Sequence, residues 1–137
     1  MTALSILIVD DDKLDAQLAR QALQRADINN DVHVAESGQA ALDLLRRAHA
    51  DKAADQRFLV LLDLKMPRMD GIEFLENLRN DADLCDTTVI VMTTSDFDED
   101  RRAARELNVA GYVVKGDIGE DSSNLKIVLG HYLDSFV

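Results

Sequence analysis

The sequence predicts an α/β fold, wound doubly around one five-stranded parallel sheet, and two observations carry that prediction. Five short runs rich in Ile, Val and Leu recur at even spacing, and each is followed by a segment whose apolar residues repeat at helical intervals. The first, third and fourth runs are almost continuously apolar, the pattern of strands covered on both faces rather than one. A chain that alternates strand and helix in this way closes into a parallel sheet through right-handed crossovers. Among doubly wound arrangements, the strand order 2-1-3-4-5 suits five strands.

The elements follow in order. SILIV (5–9) reads as the first strand. Leu14 to Arg25 reads as a helix with Leu14, Leu18 and Ala22, and beside them Ala19 and Leu23, turned to the core, and Gln, Arg and Asp opposite. VHVA (32–35) is the second strand, and a helix opening after Ser37-Gly38 carries Ala41, Leu42, Leu44 and Leu45. The polar, alanine-rich stretch AHADKAADQR (48–57) reads as a surface loop with a frayed helix end. FLVLL (58–62) follows as the third strand, then a helix after Asp70-Gly71 with Ile72, Phe74, Leu75 and Leu78 inward. TVIVM (88–92) precedes a helix that opens near Asp98 to Asp100, where acids suit the positive end of the helix dipole, and runs to about Leu107. YVVK (112–115) is the fifth strand. A fifth helix, from about Ser122 to Phe136, gathers Leu125, Val128, Leu129, Tyr132 and Phe136 on one face.

Composition narrows the function. With 137 residues, 47% of them hydrophobic, residues 1–137 suit one domain with a real core. No apolar run reaches membrane-spanning length, and the start MTALSILIVDDD turns acidic too soon for a secretory signal, so a cytoplasmic protein away from membranes is expected. A formal charge of -11 opposes binding to phosphate backbones, which argues against a nucleic-acid partner. Cys85 has no second cysteine to pair with and reads as an incidental loop thiol, while His33, His49 and His131 are scattered and read as surface or boundary residues.

Chemistry in an open parallel sheet gathers beyond the carboxyl ends of the strands, near the point where strand order reverses. Those ends carry Asp10, Asp11 and Asp12, then Asp63, then Thr93, Thr94 and Ser95, then Lys115; the second strand, away from the switch point, ends in Ala35-Glu36. A run of three aspartates alone is usually a solvated turn or a helix cap. Their placement together with Asp63, Thr93 and Lys115 at successive strand ends is what marks a site. Carboxylates at contact distance repel by about 4 kcal/mol per pair at an effective dielectric near 20. A hard divalent cation such as Mg²⁺ relieves that repulsion through oxygen ligands, and the Lys115 ammonium, a compact charge on a flexible stem, supplies the rest. An aspartate in such a place can act as a nucleophile toward phosphorus, with Lys115 and the Thr93 hydroxyl as the donors at hand.

The segments ILIVDDD, LLDLKMPRMDG, VIVMTTS and GYVVK, taken together over essentially the whole chain, resemble the receiver domains of two-component response regulators. The resemblance implies a flavodoxin-like fold and a sensor histidine kinase that donates a phosphoryl group to Asp63. It implies Asp10 and Asp11 as the acidic pair, a Mg²⁺ site using the side chains of Asp11 and Asp63 and the backbone carbonyl of Lys65, Thr93 as a switch hydroxyl, Tyr112 as a rotating aromatic and Lys115 as the phosphate-binding lysine. Phosphorylation then remodels the face built from the fourth helix, fifth strand and fifth helix, by population shift between two packings. Nothing resembling a DNA-binding or catalytic segment follows the fifth helix, which implies a stand-alone receiver acting by protein contact, a signalling switch rather than an enzyme on other substrates. The long loop before Phe58 and the tail LKIVLGHYLDSFV are similar to the small regulators paired with bacterial phytochrome kinases. The extra apolar residues Ile127, Leu133 and Val137 would serve a homodimer or a downstream partner, or an ordinary chain end packed on the core.

One position departs from the family pattern. The residue after the lysine is commonly proline with a cis peptide bond, and here it is Gly116; a non-proline cis bond costs roughly 2.5 to 4 kcal/mol, so a trans bond and a reshaped loop are open. Three other readings compete. A phosphatase of the haloacid dehalogenase type needs a second aspartate two residues after the nucleophile, where Lys65 stands. Flavin binding is opposed by the three acids of the first loop. A receiver-like adaptor that is never phosphorylated is opposed by the joint presence of Asp11, Asp63, Thr93 and Lys115.

Overall fold

A computed structural model describes residues 3–51, 56–94, 97–115 and 129. Its strands are β1 (Ala3–Val9), β2 (Val32–Ala35), β3 (Gln56–Leu62), β4 (Thr88–Thr93) and β5 (Gly111–Val114); its helices are α1 (Lys13–Arg25), α2 (Gly38–Ala50), α3 (Gly71–Asn80) and α4 (Asp98–Glu106). The sheet order is β2-β1-β3-β4-β5 with every pair parallel, as the alternation predicts. The expected fifth helix lies outside the described residues except for Leu129, which is helical and fully buried. The Lys115-Gly116 peptide also lies outside them.

The pleat explains why the central strands are apolar throughout. Successive side chains point to opposite faces, so Leu7, Val9, Val60, Leu62, Val89 and Val91 pack with α2, α3 and Ala104 of α4. Ile6, Ile8, Leu59, Leu61, Ile90 and Met92 face the other way, toward α1 and Leu129. Full burial of each such side chain contributes about 1.5–3 kcal/mol, so the three inner strands carry much of the fold.

Two segments differ from expectation. In α1 the buried residues are Ala16, Ala19, Ala22 and Leu23, while Leu14 and Leu18 are exposed. At 3.6 residues per turn these leucines lie about 100° or more around the helix from the centre of the buried face. The buried face of α1 is built mainly of small alanines, and the apolar row Leu14, Leu18, Ala22 at i, i+4 spacing points elsewhere. Between the second helix and third strand, Ala48–Ala50 continue α2, where a helix end was expected, and β3 starts at Gln56, two residues before Phe58. Alanine's helix propensity extends α2 through a stretch that polarity alone marks as loop.

Arg79, near the end of α3, ties the bottom of the sheet together. Its guanidinium donates to the carbonyls of Cys85 (2.8 Å), Thr87 (2.7 Å), Leu107 (2.8 Å) and Asn108 (3.1 Å), bridging the loops that lead into β4 and β5. Burial lowers its pKa from the usual guanidinium value, though the group stays charged. Cys85 sits in the loop that Arg79 holds, as a free, half-buried thiol. His33 packs edge-on against Phe58, and exposed His49 lies 3.7 Å from Asp83, so both are surface or boundary residues. His131 is outside the described residues.

Candidate functional site

The ends of β1, β3, β4 and β5 meet at one place. The parallel ladder continues past the strands, with the Asp10 amide donating to Ala35 O at 3.1 Å and the Asp63 amide to Val9 O at 3.0 Å. Both aspartates are thereby held at fixed strand ends with their side chains almost wholly buried. Among the described residues the buried polar or charged ones are Ser5, Asp10, Asp63 and Thr93. Three of those four converge here, so the acids form a site and not a solvated rim.

The three aspartates after β1 have separate jobs. Asp12 is the N-cap of α1, its Oδ1 accepting from the amides of Leu14 (2.9 Å) and Asp15 (3.2 Å). Asp10 Oδ1 accepts from the Asp12 amide at 3.0 Å, which fixes the turn. Asp11 is exposed, and it, Asp10 and Asp63 offer carboxylate oxygens all within 4.8 Å of one another. Three converging carboxylates supply the oxygen donors that a hard divalent cation prefers, so these residues fit such an ion.

Asp63 is oriented from two sides. Its Oδ1 accepts from the Thr93 hydroxyl at 3.0 Å and from the Lys65 amide at 3.1 Å, while its Oδ2 lies 3.6 Å from the Lys115 ammonium. The loop carrying Lys65 runs to Asp70, the N-cap of α3, whose Oδ1 accepts from the Glu73 amide at 2.9 Å. Gly71 explains the DG at the end of LLDLKMPRMDG. A Cβ on Gly71 would stand 2.7 Å from both Asp63 O and Leu64 Cα, so only glycine lets α3 start this close to the aspartate's strand.

Lys115 ends the apolar fifth strand because acids await it. Its Nζ donates to Asp10 Oδ2 at 2.8 Å and to Asp15 Oδ2 at 3.1 Å. Burial opposes its charge, but the hydrogen bond to Asp10, the charges of Asp63 and Asp10 and the hydrogen bond to Asp15 outweigh it and raise its pKa above that of an ordinary lysine. For Asp10 burial dominates: its pKa is raised despite the Lys115 and Asp12 hydrogen bonds.

Sequence reasoning placed Asp10, Asp11, Asp63, Thr93 and Lys115, and the structure brings these five together. Lys65 contributes its amide to Asp63, and its ammonium turns outward to Asp100 at 3.5 Å, near the exposed ring of Phe97. Tyr112 is half-buried on β5, with the Arg101 guanidinium 4.6 Å from its ring centroid. Asp15 is the residue missed. Its signal was position: the first turn of a helix that begins at the strand ends.

A buried aspartate flanked by acids, a hydroxyl and a lysine at the carboxyl edge of a doubly wound sheet defines a phosphoacceptor-type switch protein. The chain belongs to the response regulator receiver domain family, whose model matches residues 6–122. It is 34% identical over 121 residues to the response regulator Rcp1 of Synechocystis sp., covering 88% of this chain and 78% of that protein. The Mn²⁺-bound form of Rcp1 superposes with a TM-score of 0.72 at 32% identity, covering 93% of this chain and 90% of that one. The bacteriophytochrome response regulator RtBRR gives a TM-score of 0.75 at 34% identity, with 95% and 77% covered. The phosphorylated cyanobacterial phytochrome response regulator RcpA gives 0.72 at 30%, with 95% and 91% covered. The protein is therefore a receiver of two-component signalling, with an acidic pocket that fits a phosphorylation site.

Proposed function

We propose that Asp63 is the phosphoacceptor of this receiver and that a sensor histidine kinase, of the phytochrome type, is its donor. The observation that carries this reading is the setting of Asp63: a buried carboxylate fixed through Oδ1 by Thr93 and Lys65, with Oδ2 toward Lys115. In the transfer, an Asp63 oxygen forms a bond to phosphorus as the bond from phosphorus to the donor's imidazole nitrogen breaks, and the leaving imidazole keeps the electron pair. Lys115 and the Thr93 hydroxyl are positioned to donate to the phosphoryl oxygens. Asp11 and Asp63, with the Lys65 carbonyl and the support of Asp10, would hold Mg²⁺, which supplies positive charge for the incoming phosphoryl group.

The switch follows from the same contacts. A phosphoryl group on Asp63 offers new acceptors, which draw the Thr93 hydroxyl away from Asp63 Oδ1 and open space for Tyr112 to turn inward. To turn, Tyr112 leaves its stack with Arg101, a contact worth about 0.5–1 kcal/mol at an exposed site. The face of α4 and β5 thereby changes for a downstream protein or a second copy of the chain. The 137 residues work as one receiver domain in the cytoplasm, acting on proteins rather than nucleic acid or membrane; among the described residues no helix is long and apolar enough to cross a membrane. Incubation with a small phosphodonor and Mg²⁺ is expected to label the protein, and Asp63→Ala to abolish the label. Labelling that survives this substitution overturns the assignment.

A further inference from the structure

The Lys115 ammonium is nearer to Asp15 than to the aspartate it is meant to serve. Its Nζ lies 2.8 Å from Asp10, 3.1 Å from Asp15 and 3.6 Å from Asp63. Two of its three N–H groups are thus committed at hydrogen-bond distance, and neither goes to Asp63. Asp15 is well placed to hold a lysine. It stands in the first turn of α1, its amide is pinned by the Asp12 cap at 3.2 Å, and its side chain is about two-thirds covered, at 34% exposure. The fixed backbone sets where this side chain starts, and partial burial limits screening of its charge by salt.

We propose that Asp15 is a positioning residue that holds the Lys115 ammonium back from Asp63, and so weakens binding of the phosphoryl group. This rests on the reading of Asp63 as phosphoacceptor. A phosphoryl group competes with Asp15 for the same N–H groups, and every carboxylate left on the ammonium reduces the positive charge the phosphoryl oxygens meet. Asp15 plays no part in the cluster of Asp10, Asp11 and Asp63 that suits a cation, so it tunes the anion and leaves the metal alone. Phosphorylation also breaks a tie between α1 and the end of β5, which gives α1 a share in the signal.

The test uses the full chain, with beryllofluoride as the phosphoryl mimic in the presence of Mg²⁺. Asp15→Asn keeps the shape of the side chain and removes its charge. It is expected to tighten beryllofluoride binding about threefold to tenfold, as loss of one nearby anion implies, and to change Mg²⁺ affinity by less than about twofold. Asp12→Asn, which removes an equal charge three residues earlier but retains an N-capping side chain, is the control for general electrostatics. By NMR, the Lys115 ammonium resonance should move in Asp15→Asn and stay in place in Asp12→Asn. Unchanged or weaker beryllofluoride binding in Asp15→Asn, or an equal gain in Asp12→Asn, overturns the proposal. If the unsubstituted chain itself binds no beryllofluoride, the phosphoacceptor reading falls and takes the role of Asp15 with it.

Discussion

The Thr93 hydroxyl donates to Asp63 Oδ1 across 3.0 Å, joining the ends of β4 and β3 in a fully buried contact. It is one of the contacts that satisfy a buried carboxylate, and it ties the hydroxyl's position to whatever Asp63 carries. Thr93→Val keeps the shape and removes the donor, leaving Oδ1 with the Lys65 amide. Stability should fall by about 1–3 kcal/mol, the usual effect of deleting a hydrogen bond to a charged group. Urea denaturation reads this loss, and phosphodonor labelling of the same variant should slow.

Gly71→Ala reverses a usual rule. In a helix interior, alanine is better than glycine by roughly 0.5–1 kcal/mol. Here the added methyl meets backbone atoms of Asp63 and Leu64 at 2.7 Å, which cannot rotate away. A loss of about 1–3 kcal/mol is expected, as for overpacked cores, together with slower labelling because Asp63 itself is displaced. A more stable Gly71→Ala protein with normal labelling would show that α3 does not abut the site as described.

Arg79→Ala should destabilise the protein by about 2–4 kcal/mol, since it leaves four carbonyls short of a donor at about 0.5–1.5 kcal/mol each, less than additively. Arg79→Lys should recover only a minor part, because a single ammonium cannot span both loops as the planar fork does. Equilibrium unfolding of the two variants separates this from a simple charge effect, which lysine would rescue fully.

The pH dependence of stability follows from Lys115 and Asp10 in opposite senses. The pKa of Lys115 is raised in the fold, so its contribution is complete below the ordinary lysine value of 10.5 and is lost as pH rises through the higher folded value. The pKa of Asp10 is raised by burial, so ionised Asp10 costs stability at neutral pH, and that cost is relieved as pH falls through the folded value toward the ordinary 3.8. Denaturation curves for the unsubstituted protein minus those for Lys115→Met should be level from neutral pH to about 10 and should shrink above it. Asp10→Asn should lose the acid-side relief. A difference curve for Lys115→Met that changes near neutrality instead would contradict the raised pKa.

Much of this was legible in the sequence, for reasons that can be named. The strands were legible because burial on both faces forces runs such as ILIV and VIV, and strand order then decides which strand ends share an edge. Asp10, Asp11, Asp63, Thr93 and Lys115 were found by that topology before any distance was known. Asp15 was not, because an acid in a helix's first turn already has an ordinary explanation in the dipole. Leu14 and Leu18 misled because with Ala22 they form an apolar row at i, i+4 spacing, whereas the buried face of α1 is centred on Ala16, Ala19, Ala22 and Leu23. The role of Arg79 was hidden because its partners are backbone carbonyls, which leave no trace in side-chain patterns.

The central claim is that Asp63, and not Asp10 or Asp11 beside it, takes the phosphoryl group. Borohydride reduction after treatment with a small phosphodonor and Mg²⁺ converts an aspartyl phosphate into homoserine, which peptide mass spectrometry locates by residue. The account predicts homoserine at position 63 alone, dependent on Mg²⁺ and absent in Asp63→Ala; homoserine at position 10 or 11, or none in a protein shown to be folded, contradicts it.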